Sequence, residues 1–139
     1  MPEVQPPVPE PDALSAPFWE ACRRGALEVS DCESCGHLFL PPGPCCPRCW
    51  SPHLGSRAVS GRGRVFSFAV YRRTYHPGMT APYVVALVEL EEGPRLISNV
   101  VGCAPEEVVI DMPLQLRFEP AGDFMLPRFA PVSGGEEAS

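Results

Sequence analysis

The feature that most constrains this chain is the pair Cys32 and Cys35, followed ten residues later by the pair Cys46 and Cys49. Two C-x2-C pairs this close leave three options: disulfides, redox thiols or one shared metal ion. A tetrahedral ion accepts four thiolates when each pair lies on a tight turn that points both sulfurs inward. Gly36 directly follows the first pair, where such a turn often needs positive φ. Trp50 stands in the corresponding place after the second pair and suits that turn less well. The intervening "GHLFLPPGPC" reads as a short hairpin with a rigid proline corner. The spacing favours a zinc ribbon with Cys32, Cys35, Cys46 and Cys49 as ligands to a single ion. Cys45 can in principle replace Cys46, but "CPRC" keeps the two-residue spacing. Four sulfurs at this spacing suit zinc or iron, with zinc preferred. An ion with all four positions filled by protein is structural and activates no water.

The chain of 139 residues suits one domain with a small appendage. Six prolines fall within the first 17 residues, so residues 1–13 read as a disordered proline-rich arm or linker. Residues 14–54 read as a helix plus the ribbon, 55–132 as a β domain, and 133–139 as a disordered polar tail. The N-terminus has no basic start followed by an apolar run. No stretch approaches the roughly 20 apolar residues of a membrane helix. The expectation is a soluble, cytoplasmic protein without a membrane partner. In that compartment clustered cysteines are metal ligands more often than disulfides.

Several chemistries are excluded. All 11 basic residues other than histidine are arginine, so no lysine forms a Schiff base and no Walker-type phosphate loop exists. His37, His53 and His76 are scattered, and no nucleophile–base pair stands out, so the chain is expected to be inert alone. The net charge of −6 argues against a general nucleic-acid binder. Yet from Ser34 to Val88 there is no acid and there are six arginines: Arg48, Arg57, Arg62, Arg64, Arg72 and Arg73. That window is either ordinary solvated charge or a basic face for a phosphate-bearing ligand or acidic partner.

Upstream of the ribbon, "SAPFWEACRRG" reads as one short amphipathic helix. Ser15 is its cap, Pro17 lies in its first turn, and Gly25 ends it. Cys22 and Cys103, both isolated, read as small buried residues. "ALEVSDC" leads as a strand into the first cysteine turn. Downstream the apolar period becomes two. Strands are predicted over 63–71, 82–90, 95–102, 113–120 and 125–131, with one helical turn at 105–110. Five short strands with a brief helical turn before the fourth predict a mainly β fold whose second part is a small barrel, the OB-fold being the obvious candidate. The long connection 71–83 holds Tyr71, Arg72, Arg73, Tyr75, His76 and Met79. It is either an ordinary loop or a contact loop, with arginines for phosphate or carboxylate groups and tyrosines for apolar surface.

Taken together, "FWEACRRGALEVSDCESCG", "PPGPCCPRC", "SGRGRVFSFAVYRRTYHPGMTAPYVVALVELEEGPRLISNVVG" and "LPRFAP" resemble one family. It comprises acyl-CoA-associated proteins that join a rubredoxin-like zinc ribbon to an OB-fold, long labelled a domain of unknown function. The resemblance spans about residues 16 to 131. Trp50, where glycine is usual, and the extra Cys45 depart from the pattern. The resemblance implies a non-catalytic accessory subunit of a thiolase-fold enzyme acting on acyl-CoA thioesters. It implies most specifically a partner of the aldolase that cleaves a steroid side chain by retro-aldol reaction and releases propionyl-CoA. A different thiolase is the runner-up partner. A two-plus-two heterotetramer follows by the same resemblance. Arg72, Arg73, Tyr75 and His76 would contact CoA or the partner. Two other classes stay open: a zinc-ribbon/OB nucleic-acid module stacking bases on Phe66, Phe68 and Tyr71, and a rubredoxin-like electron carrier.

Overall fold

The computed structural model describes residues 9–40, 42–73 and 79–132. The first element is a helix, α1 (Ala16–Arg23), with Pro17 in its first turn. Ser15 occupies the cap position but its hydroxyl bonds no helix N–H. It accepts the N–H of Asp12 instead, while Asp12 Oδ1 accepts the N–H groups of Leu14 and Ser15 at 3.1 and 2.8 Å. Ser15 is thus the cap by position, as expected, while its hydroxyl closes a turn with Asp12, three residues earlier. The far end closes as expected on Gly25, at φ +86°. The N–H of Gly25 reaches the carbonyl of Cys22, and that of Ala26 reaches the carbonyl of Ala21, both at 2.9 Å. These bonds satisfy carbonyls the helix would otherwise leave open.

Three strands form the ribbon sheet: β1 (Glu28–Cys32), β2 (Leu38–Phe39) and β3 (Leu54–Ala58), in the order β2-β1-β3. β2 pairs with β1, Ser30 opposite Phe39, so the hairpin bends around the first cysteine pair. The hairpin expected between the two pairs does not form among the described residues. β3 has no counterpart in the sequence reading. Its residues, "LGSRA", carry little of the alternation that marks a strand, and three of the five side chains are exposed. Backbone pairing with β1, from Glu28↔Ala58 to Cys32↔Leu54, is what makes it a strand.

The remaining strands are β4 (Arg62–Tyr71), β5 (Tyr83–Leu90), β6 (Arg95–Val100), β7 (Pro113–Ala121) and β8 (Phe124–Pro131). They close into one barrel, β4-β5-β6-β8-β7, shut by pairing of β4 with β7. All neighbours are antiparallel except β6 and β8, which run parallel at Val100↔Phe129. A 3-10 turn, Pro105–Glu107, precedes the fourth barrel strand. This is the five-stranded OB-fold barrel that the period-two pattern predicts. β5 shows the cause most plainly, because every second side chain from Val84 to Leu90 is buried. β4 carries a register shift between Val65 and Ser67, which lets one long strand bend to serve both β5 and β7.

The barrel core is built on Val65, Val84, Val88, Leu90, Leu114 and Phe129. Leu27 and Val29, which precede the first cysteine, belong to the same core, and Phe18 of α1 packs against it. The base of the ribbon is therefore fused to the barrel by shared apolar burial. The metal-bearing end has a separate, much smaller core of Cys32, Phe39 and Cys46, with Leu54 against it.

Candidate metal centre

Each cysteine pair lies in a turn of the same construction. The N–H of Gly36 reaches the carbonyl of Cys32, and the N–H of Trp50 reaches that of Cys46, both at 2.8 Å. In both turns a backbone N–H also faces the first sulfur: Cys35 N to Cys32 Sγ at 3.4 Å, and Arg48 N to Cys46 Sγ at 3.3 Å. The residue after each pair has positive φ, +79° at Gly36 and +67° at Trp50. Glycine takes that conformation freely, whereas for tryptophan it carries roughly 1–2 kcal/mol of strain. Trp50 is 75% exposed, so packing of its ring within the chain does little to offset that strain.

The two turns face each other. Cys32, Cys35, Cys46 and Cys49 bring their sulfurs within 4.8 Å of one another. Cys32 and Cys49 are 3.5 Å apart and Cys35 and Cys46 are 3.7 Å apart, sulfur to sulfur. A tetrahedral ion with about 2.3 Å bonds to sulfur requires an edge of about 3.8 Å, so the cage fits zinc. Cys46, not Cys45, supplies the third sulfur; Cys45 lies outside the cluster. The thiols divide electrostatically as crowded sulfurs must. Cys32 is lowered to about 6, chiefly by the N–H of Cys35 directed at its sulfur. At Cys49 the N–H of Ser51 favours the thiolate, but the neighbouring Cys32 sulfur and burial prevail and push it up to about 12. A divalent cation removes this conflict, because all four groups bind it as thiolates. With four protein ligands the bound ion acts as a structural cross-link. Cys22 is buried and pushed up to about 11 by desolvation and then by Glu28, which makes it a packing residue rather than a reactive thiol.

Three of the six arginines in the window are paired with acids in the tertiary structure. Arg57 meets Asp31 at 3.5 Å and Arg62 meets Glu91 at 3.1 Å. Arg64 bonds both Glu89 and Asp111. The acids come from neighbouring strands and loops, so the local run without acids does not make a uniform basic face. Arg72 and Arg73 are exposed at the end of β4. Tyr75 and His76 lie outside the described residues. At the other end of that connection, Met79 reaches Arg128 of β8, Sδ to Nη2 at 4.0 Å. The barrel aromatics are engaged within the chain: Tyr71 stacks on Tyr83 at 5.2 Å, Phe68 packs on the core, and Arg95 covers Phe66 at 3.8 Å. Phe66 and Tyr71 nonetheless keep about two fifths of their surface exposed.

Two features escaped sequence reasoning. One is an apolar cleft of about 520 Å³ where α1, the ribbon and the barrel meet, lined by Phe18, Trp19, Leu40, Leu96, Ile97 and Pro127. Ile97 on its rim is 75% exposed. The other is a buried polar group. Asn99 donates to the Val84 carbonyl at 2.7 Å and accepts from Arg128 at 2.6 Å. The polar pair Ser98–Asn99 inside "LISNVV" was its signal in the sequence.

Fold and cage define a zinc-ribbon/OB-fold protein without a membrane-crossing helix among the described residues. Comparison with known proteins agrees. Residues 19–54 match the ChsH2 rubredoxin-like zinc ribbon domain, and residues 56–119 match the ChsH2 C-terminal OB-fold domain. A chain of the solved Ltp2-ChsH2(DUF35) aldolase is 41% identical, with a TM-score of 0.84 over 89% of this chain and 98% of its own. The "Probable enoyl-CoA hydratase alpha subunit" of Thermomonospora curvata is 43% identical over 87% of this chain and 39% of its own length. The 3-oxo-4,17-pregnadiene-20-carboxyl-CoA hydratase alpha subunit of Mycobacterium tuberculosis is 35% identical over 88% of this chain and 42% of its own. The chain belongs to the ChsH2-type DUF35 family, and it spans about two fifths of the length of these two curated relatives.

Proposed function

We propose that this chain is a non-catalytic accessory subunit of a thiolase-fold enzyme acting on acyl-CoA thioesters. Its most specific role is to support an aldolase that cleaves a steroid side-chain CoA thioester by retro-aldol reaction and releases propionyl-CoA. The observation that carries this reading is the near-complete match to a chain of the Ltp2-ChsH2(DUF35) aldolase, at 41% identity over 98% of that chain. The physical picture supports it. The four-thiolate cage leaves no coordination position for a substrate, and lysine is missing from the chain. Any Schiff base therefore belongs to the partner. The apolar cleft beside Ile97 offers a docking surface for that partner. Arg72 and Arg73, with Tyr75 and His76 further along the sequence, are assigned to contact with CoA or the partner. A two-plus-two assembly is the expected stoichiometry.

The test is co-expression with a thiolase-fold aldolase, capture through a tag on this chain, and assay of propionyl-CoA release from a steroid β-hydroxyacyl-CoA. Each protein alone serves as control. Co-elution with activity confined to the complex is the expected result. Elution of the chain alone, or an aldolase equally active without it, would refute the reading. Capture of a condensing thiolase instead would assign the runner-up partner. Within the active complex, Arg72→Ala with Arg73→Ala is expected to raise the acyl-CoA KM, and an unchanged KM would remove the loop from CoA binding.

A further inference from the structure

β7 and β8 place Arg117 directly opposite Arg128 in register. Residues opposite one another in an antiparallel pair share a face, and like charges in that arrangement repel. One carboxylate, Glu119, accepts from Arg128 Nε at 3.2 Å. Among the described residues Arg117 makes no ion pair. Arg128 is nevertheless the more enclosed of the two, its side chain 13% exposed. It is held there by Asn99 Oδ1, at 2.6 Å from Nη1, and by the Met79 sulfur, a weak acceptor at 4.0 Å from Nη2. Of the five N–H donors of a guanidinium, these contacts engage three. The two arginines line a pocket of about 290 Å³ with Val101, Gly102, Phe118 and Glu119. Gly102 keeps its wall open. At φ +81°, a Cβ there would also lie 3.0 Å from Arg117 Nη1.

We propose that this Arg117–Arg128 pocket is a phosphate-binding site. Both arginines line one small space, and a single carboxylate offsets one of them, so an anion relieves the remaining repulsion. Guanidinium forks match oxyanions through paired N–H donors. Phosphate, with more acceptor oxygens than a carboxylate, can serve both forks together. Met79 connects the pocket to the far end of the connection that begins with Arg72 and Arg73. The source of the phosphate is either the nucleotide half of CoA or free phosphate. The CoA source rests on the function proposed above, whereas the site itself does not.

The experiment uses the full zinc-loaded chain in solution, followed by amide NMR at constant ionic strength. The probes are inorganic phosphate and adenosine 3′,5′-bisphosphate, with chloride as control. Saturable shifts centred on Gly102, Arg117 and Arg128 are expected. Arg117→Gln, an exposed position that should fold normally, is expected to weaken binding by about tenfold or more, as loss of a charge-assisted contact requires. Arg24→Gln, at an exposed arginine just past α1 and outside the pocket, should leave inorganic phosphate binding unchanged. Tighter binding of the bisphosphate supports the site with CoA as source, and equal binding supports it with free phosphate as source. Non-saturating shifts, shifts centred elsewhere, or an Arg117→Gln chain that binds like the parent would overturn the proposal. Failure here with intact partner capture leaves the accessory-subunit reading standing. Phosphate binding without partner capture has the opposite meaning.

Discussion

Replacing Cys46 by Ser tests how the metal-bearing end is held together. The small core at that end contains Cys32, Phe39 and Cys46, two of which are themselves ligands. Phe39 is left as its one large buried apolar side chain, with Leu54 only partly buried against it, and burying it contributes about 1.5–3 kcal/mol. A structural zinc site contributes on the order of 10–16 kcal/mol. The ion therefore dominates, and removing one ligand should release the segment from Glu33 to His53. The barrel should remain, because its core lies elsewhere and includes Leu27 and Val29 from the start of the ribbon. Amide exchange read by mass spectrometry, alongside metal analysis, resolves the two parts. In Cys46→Ser, bound zinc should be lost and the knuckle amides should exchange near unfolded rates, while β4, β5 and β8 stay protected. Cys45→Ser should keep one zinc and full protection, since Cys45 lies outside the cage. Knuckle protection within about tenfold of the parent, a difference of only about 1.4 kcal/mol, would refute the argument that the metal outweighs Phe39. So would concerted loss of barrel protection.

Other outcomes follow from single residues. Trp50→Gly should hold zinc at least as firmly as the parent, and Trp50→Ala should be the weaker of the two variants by about 0.5–1 kcal/mol. The left-handed strain of about 1–2 kcal/mol exceeds the extra unfolded-state freedom of glycine, about 0.5–1 kcal/mol, and competition with a chelator measures the order. Phe129→Ala should destabilise the barrel by about 3–5 kcal/mol in denaturant melts, because its fully buried ring stands where β6, β7 and β8 meet. Glu89 is held below the usual carboxylate range by its bonds to Arg64 and then Arg95. Its contribution is therefore present above the free value of about 4.3 and disappears as pH falls through the lower folded value. The stability gap between the parent and Glu89→Gln should be constant near neutrality and close on acidification below about pH 4, and a gap that widens there would reverse the assigned sign.

The cage was legible in the sequence because its four ligands come as two local turns. The x2 spacing declares each turn, and Gly36 reinforces the first, without reference to anything distant. The barrel strands were legible for a related reason. Alternation in "YVVALVEL" and "PLQLRFEP" records which side chains face a core, whatever that core proves to be. β3 was not legible, since it is a strand by virtue of β1 beside it. The helix start at Ser15 was legible, but the partner of the Ser15 hydroxyl was not, because Asp12 takes it and that depends on how the preceding turn closes. The arginine window stayed open between two readings for the same reason: Glu89, Glu91 and Asp111 are distant in sequence from their arginines but adjacent across the sheet.

The sequence by itself determined the metal-binding turns, the period of each barrel strand and the chemistry this chain cannot perform. Those properties depend on residue type and short spacing, which fold into the local chain without long-range information. Tertiary structure alone decided which arginines are neutralised, how Leu27 and Val29 join the ribbon to the barrel, and that Arg117 faces Arg128. Those facts depend on strand register and barrel closure. Register is fixed by the summed burial of many weak contacts across the sheet, and no single stretch of sequence contains that sum.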